Sequence, residues 1–391
     1  MASLSKSNLR ENIFLIIVSL FSIEYISFGE YFSIFRVIIF PLCLLGLFIW
    51  RPIFTYKNIK FYFIVGIALL VNILSSLNSG NLIFGIINSI GIMVFVIFIL
   101  NHISIFGISK RLIYAIAIFS IPQYIAFFSW ISNAPLNFTN SSSRFVGAHI
   151  DSNFLCVYLN LAVVAKLFLL RSKNFKFNSF IISFIFFDLL LIFYSQSRAG
   201  ILTFFLSILI FLFFYYKRLL LISLVSFFFI GTYFVQKVNS LTYSSDFGLI
   251  DAVIWRFSKL GQEGEIEEAR ITHFNNFIHL VEQGNSIFVG YSLDNYLLIY
   301  YQYPHSLFID IFLEQGLIFG GFFILYLLFL FWKGFKMAIN GYSNPFLFHL
   351  SIVAFIGTVT LTSYKQKFFW FIVVLAFLST QKLNFNFNEK N

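Results

Sequence analysis

Charge is what this chain has least of. Only 11% of its 391 residues are Asp, Glu, Lys or Arg, whereas a soluble domain carries roughly 25%. With 59% hydrophobic residues and a mean hydropathy of +0.88, it has too little polar surface to cover itself in water. Cysteine is scarce as well. Cys43 and Cys156 both lie inside apolar stretches, which argues against a disulfide framework or a cysteine-ligated metal centre. No phosphate-cradling P-loop occurs, and no His/Cys/Asp grouping has metal-ligand spacing. Internal repeats are missing too, and the sole compositional bias is Phe, at 59 residues.

What is present is a succession of apolar runs, most of them near the roughly 20 residues needed to cross a bilayer. They lie near 12–29, 32–50, 59–78, 82–100, 111–131, 150–170, 178–195, 199–216, 219–236, 305–331, 345–364 and 367–381. The first follows Lys6 and Arg10 as a signal peptide would. It ends in Ser22-Ile23-Glu24-Tyr25 without a small-residue cleavage site, so it reads as a retained first helix. The expected fold is all-α and polytopic, with about twelve transmembrane helices in a single integral membrane domain, 1–391.

Lys and Arg set the orientation. With both termini in the cytoplasm, the inner segments collect 16 of the 26 basic residues, among them Arg10, Lys110, Arg111, Lys333 and Lys336. The outer segments hold eight, including Arg144, Arg198, Arg270, Lys365 and Lys367, while Arg36 and Lys166 fall within helices. The net charge of +10 is therefore mainly a topology signal, and a nucleic-acid partner is not expected. Two outer segments stand apart. Residues 132–149 are rich in Ser, Asn and Thr. Residues 236–304 form a large loop between the ninth and tenth helices, with eight acidic residues against four basic ones. Within that loop, Glu265–Gln283 places Ile266, Ala269, Phe274, Phe277, Ile278 and Val281 at near-helical spacing, which predicts an amphipathic helix over the membrane mouth.

A charge at the centre of a membrane helix costs roughly 2.5–3.5 kcal/mol on insertion scales and faces the protein interior. Such groups crowd the outer half of this chain: Arg36, Arg144, Asp151, Arg198, Arg270, His305, Asp310 and Glu314, with Asp188 nearer mid-membrane. Four runs carry them. Ser195-Gln196-Ser197-Arg198-Ala199-Gly200 joins two apolar helices, and its Arg is suited either to phosphate oxygens or to interfacial anchoring. In Arg144-Phe145-Val146-Gly147-Ala148-His149-Ile150-Asp151-Ser152-Asn153, Asp151 or Ser152 caps the sixth helix or helps present its N-terminus to an anion. Glu267, Arg270 and His273 share one helix face, so Arg270 either pairs locally or points into a pocket, while His273 and His279 read as surface residues. Last, Ser306, Asp310 and Glu314 form an i, i+4 stripe with His305 at its mouth, which is either a site or a polar face packed between helices.

Taken in order, Arg144-Phe-Val-Gly with Asp151-Ser-Asn153, Ser197-Arg198-Ala-Gly, the long outer loop with Arg270, and His305-Ser-Leu-Phe with Glu314-Gln-Gly316 resemble the O-antigen ligase and polymerase superfamily of bacterial polysaccharide assembly. The likeness covers roughly 140–330; Ser306 departs from it, since the family often has Asn after the His. The resemblance implies a multi-pass bacterial inner-membrane enzyme with its active site facing the periplasm. The reaction implied is a metal-independent, cofactor-free, inverting glycosyl transfer from undecaprenyl-diphosphate-linked glycan in lipopolysaccharide or related surface-polysaccharide synthesis. On that basis Arg198 and Arg270 take the diphosphate, supported by Arg144. His305 is the base and Glu314 the runner-up. Asp151, Asn153, Arg36, Asp310 and Ser306 contribute to substrate binding. The partners implied are lipid-linked glycans, membrane lipids and a chain-length regulator protein. Phe-rich chains of this kind in the superfamily are typically polymerases, which add the chain to another lipid-linked repeat unit; a ligase would instead add it to lipid A-core. A lipid-linked oligosaccharide flippase is the alternative from another class. Transporters, however, show paired repeats and midplane-broken helices that are not evident here.

Overall fold

The computed structural model describes residues 2–24, 33–49, 55–132, 145–149, 151–170, 174–240, 265–283, 288–361, 363–383 and 385–386. Helices dominate: α1 Ala2–Leu20, α2 Phe35–Ile49, α3 Tyr56–Asn78, α4 Leu82–Phe106, α5 Lys110–Ile131, α6 Ser152–Leu169, α7 Phe175–Ser195, α8 Arg198–Tyr215, α9 Lys217–Ser240, α10 Glu265–Glu282, α11 Leu293–Tyr300, α12 Leu307–Ile339, α13 Pro345–Thr358 and α14 Lys367–Ser379. Among the described residues, seven helices are long and apolar enough to cross a membrane (α3 from Lys57, α4, α5, α6, α7, α8 and α12), and α2, α13 and α14 are shorter apolar helices. The chain is thus an all-α protein of membrane-spanning character.

The helices start where short polar side chains can satisfy their first N–H groups. Thr55 accepts from Asn58, Ser109 from Leu112, Asn174 from Phe177, Ser197 from Gly200 and Asn344 from Phe346. A helix lies in each of the twelve apolar runs, with shifted ends. α1 begins ten residues before the run it overlaps, because Arg10 does not stop it: the side chain is buried, with its guanidinium 5.2 Å from the Phe106 ring. α12 continues through Lys333 and Lys336, whose aliphatic stems can lie along the helix while their ammonium groups reach water.

The centre of the bundle is α6 with α13 and α14. Nearly every residue of α6 and α14 is buried, and α13 packs on both, with α5 and α8 also against α6. α7 and α9 lie outside, presenting Phe180, Phe186, Leu221 and Ile222 outward. A helix that is apolar all round fits a hydrocarbon solvent, where side chains need not be sorted into wet and dry faces. One ion pair is sealed inside. Lys166 Nζ lies 2.5 Å from Asp188 Oδ2, 2.7 Å from Ser120 Oγ and 2.9 Å from Tyr124 Oη, joining α5, α6 and α7.

Alternating helix directions bring two sets of helix ends together. At one end lie Glu11 and Arg111, which form an ion pair, and a short parallel pairing of β1 Ile108–Ser109 with β2 Phe385–Asn386. At the other end lie the starts of α2, α4, α6, α8, α12 and α14, together with the surface helices α10 and α11.

Candidate functional site

Among the described residues, those singled out from the sequence at this second end form three groups.

The first joins the α6 and α8 starts. Asp151 Oδ1 accepts from the Asn153 N–H at 2.6 Å, and Ser197 Oγ donates to Asn153 Oδ1 at 2.6 Å. Gly200 allows this approach: a Cβ there would sit 2.4 Å from Cys156 Sγ. Asn160 Nδ2 closes the contact by donating to the Gly200 carbonyl at 3.1 Å. The Asp151-Ser-Asn153 and Ser197-Arg198-Ala-Gly runs, separated by over forty residues, are therefore one unit, with half-buried Arg198 as the first residue of α8. Asp151 does cap α6. The neighbouring Phe145–His149 segment is tied in by Phe145 N–H to Tyr194 O at 3.2 Å and Ala148 N–H to Gln123 Oε1 at 2.9 Å. His149 is buried and stacks on Tyr158 at 4.7 Å, and burial pushes its pKa down to about 3, so it stays neutral. Arg144 lies outside the described residues.

The second group surrounds the N-terminal end of α12. This helix is broken at Gly316, whose φ of +72° belongs to the left-handed region that favours glycine. The backbone of 288–292 crosses α12 at the break: a Cβ at Gly316 would lie 2.8 Å from Phe288 C, and one at Gly290 only 2.0 Å from Leu313 O. Ser292 N–H donates to Leu313 O at 2.8 Å, and Leu293 N–H to Glu314 Oε1 at 2.6 Å. Glu314 thus caps α11 while also holding Lys365 Nζ at 3.0 Å. Burial pushes the Lys365 ammonium down, yet the carboxylates of Glu314 and Asp294 outweigh it and hold its pKa above the ordinary value. Asp310 is fully buried one turn before Glu314, beside the backbone N–H groups of Ser363 and Tyr364. Ser306 occupies the α12 cap position without a side-chain capping bond.

Above this end sits α10. His273, Phe277 and Leu280 are buried, the latter two against Leu293, Tyr296, Ile309 and Leu313. The amphipathic helix is present, but its inner face differs from the expected one: Phe274 and Ile278 are exposed, and His273 is an inner residue rather than a surface one. Polar pairing decided the azimuth, since His273 Nδ1 lies 2.7 Å from Tyr296 Oη. Burial, and then the charge of nearby His305, lower the His273 pKa. His305 itself is exposed, with φ +47°, at the mouth of α12. The side chain of Arg270 lies outside the described residues.

The third group lines a cavity of about 480 Å³ formed by α2, α3, α4 and the 365–367 segment. Arg36, Lys365, Lys367 and Asp294 supply its charge and Phe35, Phe40, Phe84 and Ile87 its apolar wall. Arg198 is not among the described residues that line it. By sequence alone, Lys365 and Lys367 read only as outer basic residues. Two lysines two residues apart, on a side otherwise short of basic residues, were the available signal.

No protein-family model matches the chain, and no curated protein matches it.

Proposed function

We propose that this protein is a polysaccharide polymerase, an inverting glycosyltransferase that moves a growing glycan from undecaprenyl diphosphate onto another lipid-linked repeat unit outside the cytoplasm. The observation that carries the reading is the convergence of the four polar runs, distant in sequence, at one end of an apolar helical bundle. An inverting transfer has two demands. As the acceptor hydroxyl oxygen bonds to the anomeric carbon, the bond from that carbon to the diphosphate oxygen breaks, and the electron pair leaves on the diphosphate. Cationic hydrogen-bond donors stabilise that developing charge. The hydroxyl proton must also be taken up, which suits an imidazole near neutral pH.

In this reading Arg198 and Arg270 receive the diphosphate, with Arg144 in support, and exposed His305 takes the proton. Glu314 is a positioning residue more than a base, because its Oε1 is already committed to Leu293 N–H and to Lys365. Asn153 and Asp151 set the loop from which Arg198 projects.

The test is reconstitution of the purified chain with undecaprenyl-diphosphate-linked repeat units, followed by gel separation of the glycan products. His305→Ala and Arg198→Ala should each abolish the ladder, by a factor of at least about 100 given what general-base and charge stabilisation supply. Membrane insertion should be unchanged. Full ladders from both variants would overturn the assignment. In cells lacking the gene, lipid A-core bearing a single unit supports a polymerase, long chains stranded on the lipid diphosphate a ligase, and units held on the inner leaflet a flippase.

A further inference from the structure

The cavity between α2, α3 and α4 is separate from the Arg198 loop, and three features describe what it would take. Its cations come first. Arg36, Lys365 and Lys367 reach the lining, against one lining carboxylate, Asp294. The carboxylate of Glu314 holds Lys365 from behind and is fully buried, so it orients the ammonium without facing the space. Lys367 lies 4.9 Å above the ring of Phe35, which fixes it at the same wall. Because these carboxylates offset much of the long-range field, recognition there depends on direct contact from guanidinium and ammonium hydrogens, as phosphate oxygens require.

The second feature is an unused acceptor. Asn72 is 1% exposed and lines the cavity, and its Oδ1 has no hydrogen-bond partner among the described residues. A buried amide oxygen in this position can accept a hydrogen bond from a ligand hydroxyl. Asn88, also on the lining, is held by its Nδ2 on the Lys365 carbonyl at 3.1 Å. Asn72 and Asn88 each stand six residues inside their helix ends, a depth of about 9 Å at roughly 1.5 Å per residue.

The third is the opening. Phe84 and Ile87 belong to the lining and are 57% and 58% exposed, alongside exposed Ile83 and Ile90 on the same helix. The space therefore communicates sideways with the lipid-facing surface. A cationic head site, a hydroxyl acceptor and a lateral apolar door fit an amphiphile whose head carries phosphate and sugar.

We propose that this groove is a second lipid-phosphate site, holding the diphosphate head and first sugar of a polyprenyl-linked glycan, with its chain leaving past Phe84 and Ile87. The proposal rests on the polymerase reading for its choice of lipid. Such an enzyme handles two lipid-linked molecules at once, and a site apart from Arg198 gives the second one its place.

Binding to the full chain in phosphatidylcholine nanodiscs tests it, with undecaprenyl diphosphate, inorganic pyrophosphate and phosphatidylglycerol as separate probes. Arg36→Gln should weaken undecaprenyl diphosphate binding about tenfold or more, the scale of a lost charged hydrogen bond. Ile87→Trp, on the lipid face and away from the ion pairs, should do the same by blocking the door. It carries the test should the Arg36 variant fail to fold, as read by its melting midpoint. Pyrophosphate binding as tight as that of the lipid would make this a free-anion site, and equal phosphatidylglycerol binding a general anionic-lipid site; either overturns the proposal. Chain growth with binding unaffected by both variants removes the groove and leaves the polymerase. Arg36-dependent lipid binding by a protein that builds no chains removes the polymerase and leaves the groove.

Discussion

A lysine and an aspartate sealed together in an apolar bundle are benign as a pair and damaging singly. Lys166 and Asp188 neutralise each other, and Ser120 and Tyr124 satisfy further Lys166 hydrogens. Removing one partner leaves an uncompensated charge, a loss of about 3–5 kcal/mol in soluble proteins, whereas replacing both by apolar residues is often neutral or stabilising. We expect Lys166→Met and Asp188→Leu each to lower the melting midpoint in detergent strongly, and the double variant to recover most of the loss. An additive double variant would show that the two groups do not act as a pair. Both residues were visible in the sequence as charges within apolar runs. Their partnership was not, because it depends on which way α6 and α7 are rotated. Hydropathy carries no information on rotation in helices that are apolar on every side.

At the scale of elements, the runs with strong apolar character were legible and the polar surface helices were legible in part. A helix over Glu265–Glu282 follows from its spacing, but the face it buries was set by one polar contact, His273 with Tyr296. That contact makes the docking of α10 sensitive to acid. His273 has a pKa below the ordinary 6.5, so the undocked form takes up a proton before the docked form does. Docking is therefore fully favoured above about pH 6.5 and weakens as pH falls below it. Protection factors for hydrogen exchange across 273–282, taken relative to the intrinsic rate at each pH, should fall as pH drops below about 6.5 in the wild type, and His273→Phe should flatten that dependence. Tyr296 and His305 face the same ring, and a retained pH response in the variant would shift the cause to His305.

Across the whole molecule, the division between the two bundle ends was the most readable property. Short basic runs such as Lys110-Arg111 and Lys333–Lys336 stand opposite the end that gathers Arg198, His305 and Glu314. The cavity group was not readable, since Arg36, Asn72, Asn88, Lys365 and Lys367 come from four segments with no shared motif. Which compartment each end faces can be measured. Tyr301 is 86% exposed at the site end and Tyr342 is 55% exposed at the other, while Cys43 and Cys156 are buried and give little background. A membrane-impermeant maleimide applied to cells with a permeabilised outer membrane should label Tyr301→Cys and spare Tyr342→Cys. The reverse pattern would invert the topology and remove the proposed periplasmic chemistry.

The break at Gly316 has a consequence for how this protein enters the membrane at all. Residues 317–339 form a continuous rod of about 23 residues, roughly 34 Å long, with Lys333 and Lys336 in its last turns. That length is enough to bridge the hydrocarbon layer unaided. Asp310, Glu314 and Gln315 all precede the break. During synthesis the insertion machinery can therefore accept the rod as an ordinary apolar segment. The two carboxylates lie outside that rod, so neither has to reside at the bilayer centre in the folded protein, where the 288–293 backbone packs against Leu313 and Glu314.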